Sequence, residues 1–490
     1  MNQKTNRKTL SKVTRTHRYE QFIPREKRIY VNRNLRMGSI RWVGFDMDHT
    51  LALYNRNFIE ALAFDLARDA LIRERKYPDF LRDILYDPDF GIRGLIVDKD
   101  EGNILKVDQF SYVAKAFHGR KELDRNERKK IYSARTQPLA SDRFWSSDTL
   151  FGLPEVSLYA CSVEAMEREL GKVDYRKLFD DIRYSVDLVH RDGSLKRIIL
   201  ERMGECFLKD PGLLPTLEKF RLEGKRLFLL TNSDYEYTSR VLSHVLSDPL
   251  RGSSWWDYFD LLVVESRKPG FFKGRLRWKP VDHGEHPVPT FAGGNYRRLE
   301  QEIGAIGDEI LYLGDHIFGD ILRSKKTGGW RTGMVVEELE HEILSAMKAE
   351  DNQEELDQIQ DDNSRVLLRL EAVRTRKLEL RNRKLSEYRS LDEAQMREMD
   401  LELQEVGALE RELEEELSSK LMIIRALEEE AQNRYNAYWG SLCKVDSEIS
   451  RFGSQMRDYA CTYTSRVSNF LAYPPDKYFR SPEEFMPHEI

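Results

Sequence analysis

Residues 40–52 read Ile40-Arg41-Trp42-Val43-Gly44-Phe45-Asp46-Met47-Asp48-His49-Thr50-Leu51-Ala52. A short apolar run that passes straight into Asp-x-Asp-x-Thr predicts a buried strand with two carboxylates and a hydroxyl at its carboxyl end. Similar runs recur at 226–230, 261–264 and 310–313, with helical stretches between them. Short apolar runs separated by helices predict an α/β fold, a parallel sheet with crossover helices on both faces. Polar residues follow each run: Thr231-Asn232-Ser233, Ser266-Arg267-Lys268-Pro269 and Gly314-Asp315-His316-Ile317-Phe318-Gly319-Asp320. In an open parallel sheet the carboxyl ends of the strands face one crevice, so the four pieces can meet there. Taken singly, Asp-x-Asp-x-Thr is an acidic turn or a helix cap, and Lys-Pro or Thr-Asn-Ser is a turn. Together, in order and each after a strand, they define a candidate site.

The gap of about 180 residues between the first two runs is too long for one crossover and predicts an inserted domain. The expected division is a basic arm over 1–30, core over 31–60, the insertion over 61–195 and core again over 196–340. An acidic helical hairpin or coiled coil follows over 341–438, and 439–490 should dock back on the core. In the hairpin segment no proline occurs between Pro289 and Pro474, and 351–430 hold one glycine, Gly407. Met396, Met399, Leu403 and Val406, then Leu413, Leu417, Leu421 and Ile424, form a helical stripe. Ser390-Leu391-Asp392-Glu393 is the expected capping box between two long helices.

The chain has 490 residues, 40% of them hydrophobic and 33% charged, enough apolar content to exclude global disorder. Its net charge of −5 conceals opposed blocks. Residues 1–41 carry twelve Lys or Arg against two Glu, and 351–430 carry twenty-three Asp or Glu against thirteen Lys or Arg. The basic arm contains no nucleic-acid-binding module, so no nucleic-acid partner is expected. No apolar run approaches the roughly 18 residues of a membrane span, and the basic N-terminus lacks the apolar segment of a secretory signal. Cys161, Cys206, Cys443 and Cys461 are too scattered for a disulfide framework or a zinc site. The expected location is a reducing cytoplasm.

The motifs carry a resemblance. The sequence resembles the haloacid-dehalogenase-like phosphohydrolase superfamily, and more specifically the cytosolic purine 5′-nucleotidase family. It does so over 44–52, Thr231-Asn232-Ser233 and 314–322. Leu150-Phe151-Gly152-Leu153-Pro154-Glu155, the stretch from Asp181 to Lys196 and the tail Phe485-Met486-Pro487-His488-Glu489 are also similar. The resemblance implies a Rossmann-like core whose insertion is a cap that closes over the site. It implies hydrolysis of purine nucleoside monophosphates with magnesium as cofactor, in a homo-oligomer. Transfer of the phosphoryl group to a nucleoside acceptor could compete with water.

A phosphate monoester needs a nucleophile, charge neutralisation on the transferring oxygens and a proton for the leaving alkoxide. Asp46 is placed to attack phosphorus, and Asp48 to protonate the leaving oxygen and then activate water. As the superfamily pattern implies, magnesium would take Asp46, the Asp48 carbonyl and Asp315, with Asp320 supporting that shell. Thr231, Asn232 and Ser233 would hold phosphate oxygens, and Lys268 would offset charge on the aspartyl phosphate. Arg183 and Asp187 share a helix face, the spacing of a surface salt bridge. The resemblance makes them base ligands instead, and donor-only Arg with acceptor-only Asp suits the edge of a 6-oxopurine such as IMP or GMP. Phe151 would stack on the base, His190 would contact base or ribose, and Lys196 would reach the phosphate. Two alternatives stand beside this: a phosphatase of another small phosphate ester, and an interaction scaffold with a vestigial site.

Overall fold

Val43, Phe45, Leu227, Leu229, Leu311 and Leu313 enter one buried cluster, while Trp42, Phe228, Leu230, Ile310 and Tyr312 enter another. Alternate residues of the same strands thus face opposite ways, and both faces are covered, as a parallel sheet requires. The structure is a computed structural model that describes residues 22–133, 136–248, 252–274, 276–284, 286–387 and 392–482. Its main sheet comprises β1 (Tyr30–Val31), β2 (Trp42–Phe45), β3 (Arg226–Leu230), β4 (Leu261–Val264), β5 (Trp278–Pro280), β6 (Thr290–Gly293), β7 (Ile310–Gly314), β8 (Arg331–Val335) and β9 (Thr462–Thr464). The spatial order is β1-β9-β8-β7-β2-β3-β4-β6-β5. Strands β9 through β6 in that order run parallel, and β1 and β5 are antiparallel edges.

The chain leaves β2 toward β3, β4 and β6, then returns to the other side of β2 for β7 and β8. That reversal opens a crevice at the carboxyl ends of β2 and β7. Register aligns the motifs, because Phe45 pairs with both Leu229 and Leu313. Asp46 is therefore level with Leu230 and Gly314, one step short of Thr231 and Asp315. Gly44 permits this packing, since a Cβ there would lie 2.0 Å from the Phe228 ring.

Between β2 and β3 the chain builds α1 (Arg56–Arg75), α2 (Leu153–Leu170), α3 (Tyr175–Arg191) and α4 (Ser194–Glu201), with a five-stranded antiparallel sheet. Leu53–Tyr54 pairs antiparallel with Phe207–Leu208, so the outgoing and returning chain form a two-stranded stem. Asp174 caps α3 by accepting from the Lys177 amide at 3.0 Å. Leu178, Phe179, Ile182, Ser185 and Val189 bury one face of that helix, and Arg183, Asp187 and His190 lie on another.

The chain divides into two compact units, 1–343 with 441–490, and 344–440. Of the expected basic arm, residues 1–21 lie outside the described residues, as does the Phe485–Glu489 motif. Residues 22–30 are pinned through their backbone, with Thr464 Oγ1 donating to the Arg28 carbonyl at 3.0 Å and Ser465 Oγ to that of Glu26 at 3.0 Å.

The second unit holds most of α6 (Leu339–Glu387) and all of α7 (Glu393–Asn433). Val366, Leu370 and Leu413 form its buried seam, flanked by Arg374–Glu414 at 2.9 Å and Arg376–Glu402 at 2.6 Å. Two sequence expectations are corrected here. The capping box of α7 is formed by Asp392 and Gln395, whose side chains bond each other's amides at 2.8 and 3.1 Å, whereas Ser390 and Leu391 lie outside the described residues. Leu421 is 40% exposed rather than in the seam, because eight residues carry it about 80° round the helix from Leu413.

Candidate active site

The end of β2 delivers Asp46 into a cage of opposite charges. Lys268 Nζ lies 2.8 Å from Asp46 Oδ1 and 2.7 Å from Asp320 Oδ1, and it donates to Tyr312 Oη at 2.9 Å. The Lys268 and Asp320 side chains are 3% and 1% exposed, so this ion pair is held away from water. Tyr312, from β7, donates onward to the Leu230 carbonyl at 3.0 Å. A lysine from the loop after β4 is thereby fixed between carboxylates from β2 and from the turn after β7.

Asp315 completes the cluster. Carboxylate oxygens of Asp46, Asp315 and Asp320 all lie within 4.8 Å of one another. Burial, reinforced by the neighbouring acids, pushes Asp46 well above the usual carboxylate range against the pull of Lys268. Burial likewise raises Asp315 to about 7, with His49 opposing and Asp320 adding. One ammonium does not neutralise three buried carboxylates, and an all-oxygen set of this size suits a hard divalent cation such as magnesium.

Asp320 reaches the cluster because Gly314 has no side chain. A Cβ at Gly314 would lie 2.6 Å from the Asp320 carboxyl, which also accepts from the His316 amide at 3.2 Å. His316 Nδ1 in turn accepts from the Phe318 and Gly319 amides, capping the π-helical turn Ile317–Leu322 that carries Asp320. Gly314→Ala is therefore expected to push Asp320 off Lys268. It should cost about 1–3 kcal/mol of stability in denaturant unfolding. Turnover should fall by roughly 100-fold, the usual consequence of an ångström-scale displacement in a catalytic site.

Around Asp46 lie the other residues expected from sequence. Asp48 accepts from Tyr54 Oη at 2.6 Å and from Ser233 Oγ at 3.0 Å. Thr231 is fully buried, and its hydroxyl accepts from the Ser233 amide at 3.1 Å. The Asn232 side chain is occupied with the neighbouring loop, accepting from the Lys268 amide at 2.6 Å and from Ser266 Oγ at 2.9 Å. It also donates from Nδ2 to the Lys268 carbonyl at 3.2 Å, so this side chain fixes the Lys268 backbone. Lys196 pairs with Asp234 at 2.5 Å, and Asp234 caps α5 (Tyr235–Val245) immediately after the Thr231 loop.

The expected base ligands form a second group. Phe151 is half-buried, with its ring 5.7 Å from Tyr54, 4.7 Å from His49 and 6.3 Å from His190. Arg183 Nη1 donates to Glu155 at 2.7 Å, its guanidinium lies 5.4 Å over the Trp145 ring, and Asp187 is 3.8 Å away. Tyr54, in contact with both Asp48 and Phe151, joins the two groups.

Sequence reasoning missed several members. Glu155 is buried, its Oε1 makes no hydrogen bond, and burial raises it to about 7 against the pull of Arg183. Tyr54, Tyr237 and Tyr312 gave no signal beyond being aromatic. Glu337 and Glu338, just past β8, bond His49 Nδ1 at 2.8 Å and Arg93 Nε at 2.8 Å, and Arg93 donates to the Asp315 carbonyl at 2.9 Å. Their position beyond a parallel strand's carboxyl end was the signal that could have found them.

The model of the 5′ nucleotidase family matches residues 29–490. A 5′-nucleotidase domain-containing protein of Dictyostelium discoideum is 30% identical over 482 residues, covering 94% of this chain and 75% of that protein. Among solved structures, a predicted phosphoglycolate phosphatase of Haemophilus somnus aligns at 13% identity with a TM-score of 0.28, over 61% of this chain and 86% of its own. A magnesium-bound HAD-hydrolase of Bacillus subtilis aligns at 13% identity and 0.22, over 60% and 88%.

Proposed function

The chain belongs to the 5′-nucleotidase family, and from that premise we propose that it hydrolyses 6-oxopurine nucleoside 5′-monophosphates through a phosphorylated Asp46. As a family member it is a phosphoric monoester hydrolase. The observation that carries the proposal is the buried Asp46–Lys268–Asp320 triad at the sheet's switch point, with Asp48 beside it.

Asp46 attacks phosphorus as the bond to the ribose oxygen breaks, and Asp48 donates its proton to that oxygen. Asp48 then takes a proton from water as water attacks the phosphoaspartate, releasing phosphate and regenerating Asp46. A nucleoside hydroxyl in place of water would give phosphotransfer. Lys268 keeps a positive charge against the aspartyl oxygen in both steps, and Thr231, Ser233 and the Asn232 backbone face the phosphate. Asp46, the Asp48 carbonyl, Asp315 and Asp320 would hold magnesium, which when bound supplies positive charge to the transferring oxygens.

For the base, Arg183 and Asp187 present donors and an acceptor side by side on α3, the complement of the 6-oxo and N1–H groups. Adenine offers the reverse pattern and should be rejected. Glu155 and Trp145 hold Arg183 in place, Phe151 offers a ring to the base, and His190 lies alongside. Lys196, paired with Asp234, would turn to the phosphate as the insertion closes as a cap over the core. A cytoplasmic homo-oligomer is the assembly and location we assign by analogy with the family.

Phosphate release from IMP, GMP, AMP and CMP, with and without magnesium, tests the assignment. The expected outcome is magnesium-dependent turnover of IMP and GMP well above AMP and CMP. Arg183→Ala should raise KM for IMP by about 10-fold or more, the scale of a lost charged hydrogen bond. Equal rates on all four nucleotides, or an unchanged KM, would favour a different small phosphate ester.

A further inference from the structure

Asp48 is held on both of its oxygens. Tyr54 Oη donates to Oδ1 at 2.6 Å, and Ser233 Oγ lies 3.0 Å from Oδ2. The Tyr54 hydroxyl is in turn 2.9 Å from that of Tyr237, which sits in the first turn of α5 directly after the Thr231 loop. Both rings are buried. Tyr54 is locked by Phe207 and His49, each with ring centroids 4.7 Å away, and by the stem pairing of Tyr54 with Phe207.

A carboxyl group rotates readily about its terminal torsion, so a proton donor must be fixed by what its oxygens touch. If Tyr237 donates to Tyr54, the Tyr54 proton is committed to Asp48 Oδ1. That leaves Oδ2 to carry the transferable proton, and the Ser233 hydroxyl, which donates to Oδ2 of the carboxylate, turns away once that oxygen is protonated. A chain of hydrogen bonds in a buried site strengthens each member.

We propose that Tyr54 is a positioning residue for proton transfer: backed by Tyr237, it orients Asp48 so that the proton on Oδ2 reaches the leaving oxygen. This rests on Asp48 being the general acid. Proton donation matters in proportion to the basicity of the leaving group. A ribose 5′-alkoxide cannot depart without it, whereas p-nitrophenolate leaves as a stable anion.

The test is leaving-group dependence in Tyr54→Phe, which keeps the ring and removes only the hydroxyl. In the full-length protein with magnesium, kcat/KM for IMP, which reports departure of the leaving group and not the later hydrolysis of the phosphoaspartate common to both substrates, should fall by about 10- to 100-fold. The kcat/KM for p-nitrophenyl phosphate should fall far less. Tyr237→Phe should shift the two substrates in the same direction by a smaller factor, and it carries the test if Tyr54→Phe fails to fold. Asp48→Asn is the reference and should discriminate between the substrates more steeply than either. If Asp48→Asn discriminates but the tyrosine variants lower both substrates equally, or neither, the positioning role is overturned while the acid assignment stands. If Asp48→Asn itself does not discriminate, the acid assignment falls and the positioning role with it.

Discussion

Asp46→Asn is expected to abolish phosphate release from IMP, a loss of about 10⁴-fold or more, as when a covalent nucleophile is removed. Asn keeps the shape of the side chain but cannot form the acyl phosphate. Lys268 keeps Asp320 at 2.7 Å, so the buried ammonium is not left alone and the variant should fold. Unfolding in denaturant beside the turnover assay separates the two effects. A folded Asp46→Asn protein that retained turnover would contradict the nucleophile assignment.

Lys268→Met should have the second-largest effect, and it should act on stability as well as rate. The ammonium is 3% exposed and bridges Asp46 at 2.8 Å and Asp320 at 2.7 Å, with Asp315 close behind. Removing it strands Asp46, which burial already pushes upward, and leaves the buried Asp320 without its ammonium, which typically costs about 3–5 kcal/mol. Turnover should fall by about 100- to 1,000-fold, because charge on the aspartyl phosphate loses its partner. The loss of stability should be smaller with magnesium present than in chelator, since a cation bound by the same carboxylates would restore part of the balance. Equal destabilisation in both conditions would mean that the carboxylate cluster does not hold the ion.

The core and the meeting of the candidate groups were legible because both are local in sequence. Strands β2, β3, β4 and β7 are continuous apolar runs, and each functional group of the inner cluster follows its strand within about eight residues. Parallel register then brings the groups together without further information, as the pairing of Phe45 with Leu229 and Leu313 shows. The supporting shell was not legible, because its members meet only through tertiary packing. Glu155 reaches Arg183 from another helix, Tyr237 reaches Tyr54 across 183 residues, and Arg93 reaches Asp315 across 222. The Asp392 cap was missed by two positions because Ser390 and Asp392 are both good capping residues, and spacing alone does not choose between them.

The central claim is a phosphoryl group carried on Asp46, and trapping it is the most direct measurement. Borohydride added during turnover of IMP reduces an aspartyl phosphate to homoserine, which mass analysis of the peptide spanning residues 42–56 would locate. The account predicts homoserine at position 46, dependent on substrate and magnesium and absent from Asp46→Asn. Homoserine at another position, or an unmodified Asp46 during active turnover, would contradict it.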